Sequence, residues 1–306
     1  MIRALILWLS RSGTAAHIAT NVPGFRGFSR RFVAGTRQSD VIGAVRRLNA
    51  DGFDATVSYL GEAVTTEAEV QAAVSEFASY AEAVRAQSLR SHLSIKLTEL
   101  GLAFDPELAE RSLDTVLARA ADAGTFVRID MEDSHYTEST LAIFRRARAA
   151  HANTGIVIQA YLHRSIDDIE ALAREGASVR LVKGAYREPP SVSWQSKEDV
   201  DANYVRLIDA YFAHATHTVQ LAIATHDGRM VRAALRIADE RGIGRERMEF
   251  QMLYGIRGEL QRTLRDQGHR VRIYVPYGSH WYPYLMRRLA ERPANLWFFL
   301  RGALRK

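Results

Sequence analysis

The chain has 306 residues, 47% of them hydrophobic and 25% charged, with a formal net charge of +6 and no cysteine. This length and balance suit one large soluble core, and no run reaches the roughly 18 apolar residues of a membrane helix. The absence of cysteine excludes disulfides, thiolate-bound metals, iron–sulfur clusters and cysteine nucleophiles, and a cytoplasmic location is expected.

In chain order, residues 1–50 read as a helical preface with polar breaks around 21–27 and 35–39. The apolar run 4–9 within it is too short to span a membrane and has no cleavage-site pattern after it. From residue 51 onward, short β-branched runs alternate with segments of helical period, the pattern of repeated βα units. Strands are expected over 55–60, 93–97, 125–130, 155–160, 178–183, 218–225, 248–253 and 270–275. Helices are expected over 66–86, 106–123, 137–150, 167–174, 200–215, 229–241 and 257–267, with glycines such as Gly101, Gly124, Gly176, Gly242 and Gly268 at the handovers. Eight strands imply an α/β fold closed as a TIM-type (βα)8 barrel over 51–306. An open doubly wound sheet has fewer strands and needs a G-x-G-x-x-G turn, which is absent.

Chemistry in such barrels sits at the C-terminal strand ends. Those ends carry Glu62, Lys96, Asp130, Gln159, Arg180, Lys183, Thr225, His226, Gln251 and Tyr274. So many acids, bases and amides at one mouth point to a functional site. Of 41 basic residues only Lys96, Lys183, Lys197 and Lys306 are lysines, and two of these close strands. A lysine there meets an anion, forms a Schiff base as in an aldolase, or pairs with a rim acid such as Asp130 or Glu132.

The last helix presents Tyr284, Arg287, Arg288 and Glu291 on one flank, by the spacing of three and four residues. This is either a solvated face with an Arg287–Glu291 pair or a bidentate clamp for a carboxylate. The arginines elsewhere are interspersed with acids and form no basic stripe with aromatics, so nucleic acid is not an expected partner. His214 and His217 have a spacing seen in metal sites but lack acidic neighbours in sequence, and no metal is expected. No G-x-S-x-G elbow or Walker loop occurs.

Four blocks resemble the proline dehydrogenase family: Arg180-Leu-Val-Lys-Gly-Ala-Tyr186, Ala224-Thr-His226, Glu249-Phe-Gln-Met-Leu-Tyr-Gly255, and Tyr274 through Glu291. The similarity runs from about 96 to 295, and with no aldehyde dehydrogenase segment the chain is similar to the monofunctional form. The resemblance implies non-covalent FAD at the barrel mouth, held by Met131, Gln159, Arg180, Lys183, Gly184, Ala185, Thr225 and His226. It implies that Lys96, Arg287 and Arg288 hold the carboxylate of L-proline, with Tyr284 and Glu291 beside them and the final helix lying over the mouth. It also implies that Asp130, Arg180 and Tyr274 take the catalytic positions, with Asp130 at the acid-base position and acting by orienting Lys96, Tyr274 or an arginine. The product implied is 1-pyrroline-5-carboxylate, the first step of proline degradation. The resemblance further implies a quinone-type electron acceptor, reached through transient contact with the inner face of the membrane. The sequence sets no oligomeric state.

Overall fold

The computed structural model describes residues 29–61, 64–216 and 220–291. After helix α1 (Gln38–Ala50) come the repeats: β1 (Asp54–Tyr59), α2 (Glu67–Ala86), β2 (Ser91–Ile95), α3 (Pro106–Asp122), β3 (Val127–Ile129), α4 (Thr137–Ala150), β4 (Thr154–Gln159) and α5 (Ser165–Arg174). They continue with β5 (Val179–Val182), α6 (Lys197–His214), β6 (Leu221–Ala224), α7 (Gly228–Glu240), β7 (Met248–Leu253), α8 (Gly258–Asp266), β8 (Arg270–Tyr277) and α9 (Trp281–Glu291). The eight strands are parallel, pair in chain order and close into a barrel, with Val57 opposite Val275 at the seam.

Local signals set the helix starts. Thr66 and Glu69 form a capping box at α2, Asp105 caps α3 ahead of Pro106, and Ser196 and Asp227 cap α6 and α7. Each satisfies backbone N–H groups that a helix start leaves unpaired. Alternation along the strands then divides the side chains. Val57, Ile95, Ile129, Ile156, Leu181, Ile223, Phe250 and Ile273 are buried in the apolar layer between sheet and helices. Buried tyrosines tie the layers together: Tyr80 shares a hydrogen bond with Ser91 Oγ (2.8 Å), while Tyr204 and Tyr211 donate to the carbonyls of Leu181 (3.0 Å) and Ala177 (2.8 Å).

Two placements depart from a simple eightfold repeat. Helix α1 packs on the outside of the barrel against β1 and β8, the lateral place a helix following β8 would otherwise take. The final helix α9 instead brings Tyr284 to a cavity at the C-terminal ends of the strands. Strand β8 also runs two residues further than its sequence suggests, because Pro276 and Tyr277 stay in register with Ser58 and Tyr59. Pro276 lacks an N–H, but its carbonyl accepts from Ala34 N at 2.9 Å. The turn out of β8 then needs Gly278: its φ is +131, and a Cβ would come within 2.9 Å of the Leu60 carbonyl oxygen.

The inner face of the barrel is charged. Glu249 accepts from Arg272 Nε (2.9 Å) and Nη2 (3.2 Å), and Arg272 Nη1 donates to the Ala55 carbonyl (2.8 Å). Burial alone would raise the Glu249 pKa, but Arg272 beside it outweighs burial and brings it from 4.5 down to about 2. The folded value lies below the unfolded one, so this pair stabilises fully above about pH 4.5 and loses its contribution as pH falls towards 2. The urea midpoint should therefore drop as the solution is acidified through that window. A midpoint constant from neutral pH to about 3 would contradict this.

Candidate active site

The cavity at the mouth has a volume of about 480 Å³ and is lined by Lys96, Asp130, Met131, Gln159, Arg180, Lys183, Gly184, Ala185, Thr225, His226, Tyr274 and Tyr284. Its size falls in the range of small-molecule sites, roughly 300 to 1,000 Å³. Twelve site residues expected from sequence thus converge on one cavity. Arg287, Arg288 and Glu291 have side chains outside the described residues, as do Glu62 and His217 altogether.

Asp130 is the hub. Its backbone N–H bonds to the Ile95 carbonyl (2.8 Å), which places it just past the end of β3. Its Oδ1 accepts from Arg180 Nη1 (2.7 Å) and Ser94 Oγ (2.8 Å), and its Oδ2 accepts from the Tyr274 hydroxyl (3.0 Å). Arg180 Nη1 donates also to Ser94 Oγ (2.9 Å), and its Nε donates to Gln251 Oε1. The Arg180 guanidinium carbon lies 5.5 Å from the centre of the Tyr274 ring. These residues come from β2, β5, β7 and β8 and the end of β3, so the contacts run through the barrel interior. Burial, and then the nearby Asp130 carboxylate, push the Tyr274 phenol above its ordinary range, leaving it a neutral donor.

The lysines have different partners from those their sequence neighbours suggested. Lys96 pairs at 3.2 Å with Glu99, a carboxylate 1% exposed. The cause is the 3-10 turn Leu97–Leu100, which brings a residue three positions on into reach. Glu132 instead accepts from Thr98 N (3.0 Å) and Oγ1 (2.6 Å), fixing that turn, and burial pushes its carboxyl up. Asp130 engages Tyr274 and Arg180 among its expected partners, and no hydrogen bond from it to Lys96 is present among the described residues.

Lys183 belongs to a rim cluster in which Lys183, Lys197 and Arg229 share two carboxylates, Asp201 and Asp227. Burial works to raise Asp227, but the Arg229 backbone N–H, the Arg229 side chain and Lys183 together hold it well below the usual range. Asp201 is held down in the same way, with Lys183 and Lys197 outweighing its burial. Three cations against two anions leave a positive surplus suited to a phosphate.

Two further features fit a planar, hydrogen-bonding ligand carrying phosphates, such as FAD. Gln159 Nε2 donates to the Met131 carbonyl at 3.4 Å, while its Oε1 is buried with no partner among the described residues. A buried polar atom left so costs about 1 to 3 kcal/mol, a deficit a bound donor removes. Gly184 adopts φ +112, and a Cβ there would come within 2.2 Å of the Tyr161 ring, so only glycine lets the backbone follow this cavity wall. His226 Nε2 accepts from Leu253 N (2.9 Å), so that nitrogen carries no proton.

Residues given no site role from the sequence, some of them inside the motif blocks, also line the cavity. Val157, Val182, Met252 and Leu253 supply apolar wall, and Tyr186 and Asp227 polar wall. Ser94, buried in the hub, was missed as well. The signal for Ser94 lay in the alternation of β2, where His92, Ser94 and Lys96 fall on one face opposite Leu93 and Ile95. Among the described residues, no group of three or more His, Asp or Glu is placed to hold a metal.

Comparison with known proteins agrees over most of the chain. The family model described as proline dehydrogenase matches residues 41–301. Proline dehydrogenase 1 of Bacillus subtilis subsp. natto is 40% identical over 306 residues, covering 100% of both chains. Proline dehydrogenase of Deinococcus radiodurans is 37% identical over 282 residues, covering 90% of each. A crystal structure of proline utilization A from Bdellovibrio bacteriovorus, inactivated by N-propargylglycine, superposes with a TM-score of 0.82 at 26% identity. That match covers 96% of this chain, which spans only 35% of the solved one.

Proposed function

The chain belongs to the proline dehydrogenase family, and from that premise we propose that it uses FAD to oxidise L-proline to 1-pyrroline-5-carboxylate. The observation carrying this reading is the pairing, in one cavity, of a wall of donors and cations with the Asp130 hub and Lys96. Gln159, Arg180, Lys183, Gly184, Ala185, Thr225, His226 and Met131 would hold the cofactor, which accepts a hydride when bound. Lys96, with Arg287 and Arg288 of the last helix, would neutralise the substrate carboxylate. Tyr284 and Glu291 lie on the same helix.

The residues' work is placement. Lys96 and the two arginines anchor one end of proline, and the Tyr274 ring packs against the other, so that C5 is presented for hydride loss. Asp130 accepts from Arg180 and Tyr274 and so would fix both side chains. The ring nitrogen must lose its ammonium proton first, since its lone pair drives departure of the hydride. The rate of flavin reduction by proline should therefore rise from neutral to alkaline pH. A flat rate over that range would count against this order of events.

The same reading extends to a quinone-type electron acceptor. A net charge of +6 supports brief contact with anionic lipid at the inner membrane face, and no helix among the described residues is long and apolar enough to cross a membrane. Flavin released from the protein and run against standards tests the cofactor, and trapping the imine product with o-aminobenzaldehyde tests the reaction. FMN in place of FAD, or proline consumed without a trapped imine, would overturn the assignment.

A further inference from the structure

Arg180 is held from two sides, and the second side runs from Gln251 on the cavity wall to Glu249 and Arg272, which do not line the cavity. Arg180 Nε donates to Gln251 Oε1, Gln251 Nε2 donates to Glu249 Oε1, and Glu249 is gripped by Arg272. Glu249 and Gln251 are two apart on β7 and so share the barrel's inner face. All four side chains are nearly sealed from solvent, Glu249 at 1% exposure and Gln251 at 3%.

The chemistry of this chain runs in one direction. A carboxamide has two ends of nearly equal size, one that accepts and one that donates, and shape alone does not choose between its orientations. Arg180 Nε–H needs the accepting end. A carboxylate only accepts, so Glu249 draws the donating end of Gln251 to itself and leaves the oxygen for Arg180. A neutral neighbour would remove that constraint, and a flipped amide would set its N–H against Arg180 Nε–H. Of its hydrogen bonds Arg180 would then keep only those of Nη1 with Asp130 and Ser94, a pivot at one nitrogen beside the Tyr274 ring.

We propose that Glu249, acting through Gln251, is a positioning residue that fixes the orientation of the Arg180 guanidinium towards the flavin. The inference rests on the flavin site proposed above. It also gives the buried Glu249–Arg272 pair a role beyond stability: Arg272 keeps Glu249 ionised inside the barrel, and an ionised Glu249 sets the amide.

The sign of one measurement separates this role from a simpler one. If Glu249 acted on the flavin only through its own field, removing its negative charge would raise the flavin midpoint potential, because the reduced form carries more negative charge. If it acts by placing a cation, removing it lets Arg180 turn away, and the potential falls. The holoenzymes of Glu249→Gln and Gln251→Met are compared with the parent, Gln251→Met leaving the Glu249–Arg272 pair intact in case the first variant folds poorly. Both are expected to bind FAD in full, to show a lower midpoint potential, and to be reduced by proline about tenfold or more slowly under anaerobic conditions. A raised potential in Glu249→Gln, or an unmoved potential in folded Gln251→Met, overturns the positioning role while leaving the flavin site standing. A parent protein that takes up no flavin overturns the site and this inference with it.

Discussion

Asp130→Ala is expected to lower kcat/KM for proline by about a hundredfold to a thousandfold, the loss typical of removing one preorganised electrostatic group from an active site. The carboxylate accepts from Arg180, Ser94 and Tyr274 together, so its removal frees all three. Arg180, whose side chain is 5% exposed, is left without its ion-pair partner. Stranding a buried charge in this way costs about 3 to 5 kcal/mol, so the thermal midpoint should fall as well. Asp130→Asn separates shape from charge. It keeps one accepting oxygen but turns a donor towards either Arg180 or Tyr274, and should lose about tenfold. Kinetics and melting curves of the two variants decide the matter. Parental activity in Asp130→Asn and Asp130→Ala alike would remove Asp130 from the site.

The second large effect concerns substrate choice. If Tyr274, which lines the cavity, packs against the far edge of the proline ring as proposed, trans-4-hydroxyproline meets an aromatic wall that crowds its hydroxyl and offers it no assured partner. The phenol is already committed to Asp130 at 3.0 Å. Leaving that hydroxyl unpaired costs roughly 1 to 3 kcal/mol, so proline should be preferred by about tenfold to a hundredfold in kcat/KM. Tyr274→Ser should narrow the preference chiefly by weakening proline, since the smaller side chain gives up ring packing and opens space for the hydroxyl. If Tyr274 only buttresses the end of β8, both substrates should suffer equally. The ratio of the two kcat/KM values in the parent and variant distinguishes these outcomes, and an unchanged ratio would defeat the assignment.

The barrel was legible because its repeats announce themselves locally. Runs such as Val179–Val182 and Met248–Leu253 are framed by helices with caps and glycine stops, and each expected strand overlaps one in the structure. The mouth was legible for a related reason: closing the barrel brings the residues that end its strands together, whatever their separation in sequence. The lysine partners were not, since Asp201 and Asp227 reach Lys183 from the starts of α6 and α7, and Glu99 reaches Lys96 through a short turn. The charged interior was written in the alternation of Met-Glu-Phe-Gln and Arg-Val-Arg-Ile-Tyr along β7 and β8. Reading strand ends alone passes over it, because Glu249 and Arg272 lie one step deeper. The lateral seat of α1 had no signal, as an amphipathic pattern shows that a helix packs but not against which strands.

The central claim is that this cavity holds a flavin reducible by proline. Its most direct test is the visible spectrum of the purified, FAD-loaded protein under anaerobic conditions, before and after addition of L-proline. The proposed chemistry predicts an oxidised flavin spectrum that bleaches on adding proline and returns when a quinone is supplied. A colourless protein that takes up no FAD, or a bound flavin that proline leaves oxidised, would contradict it.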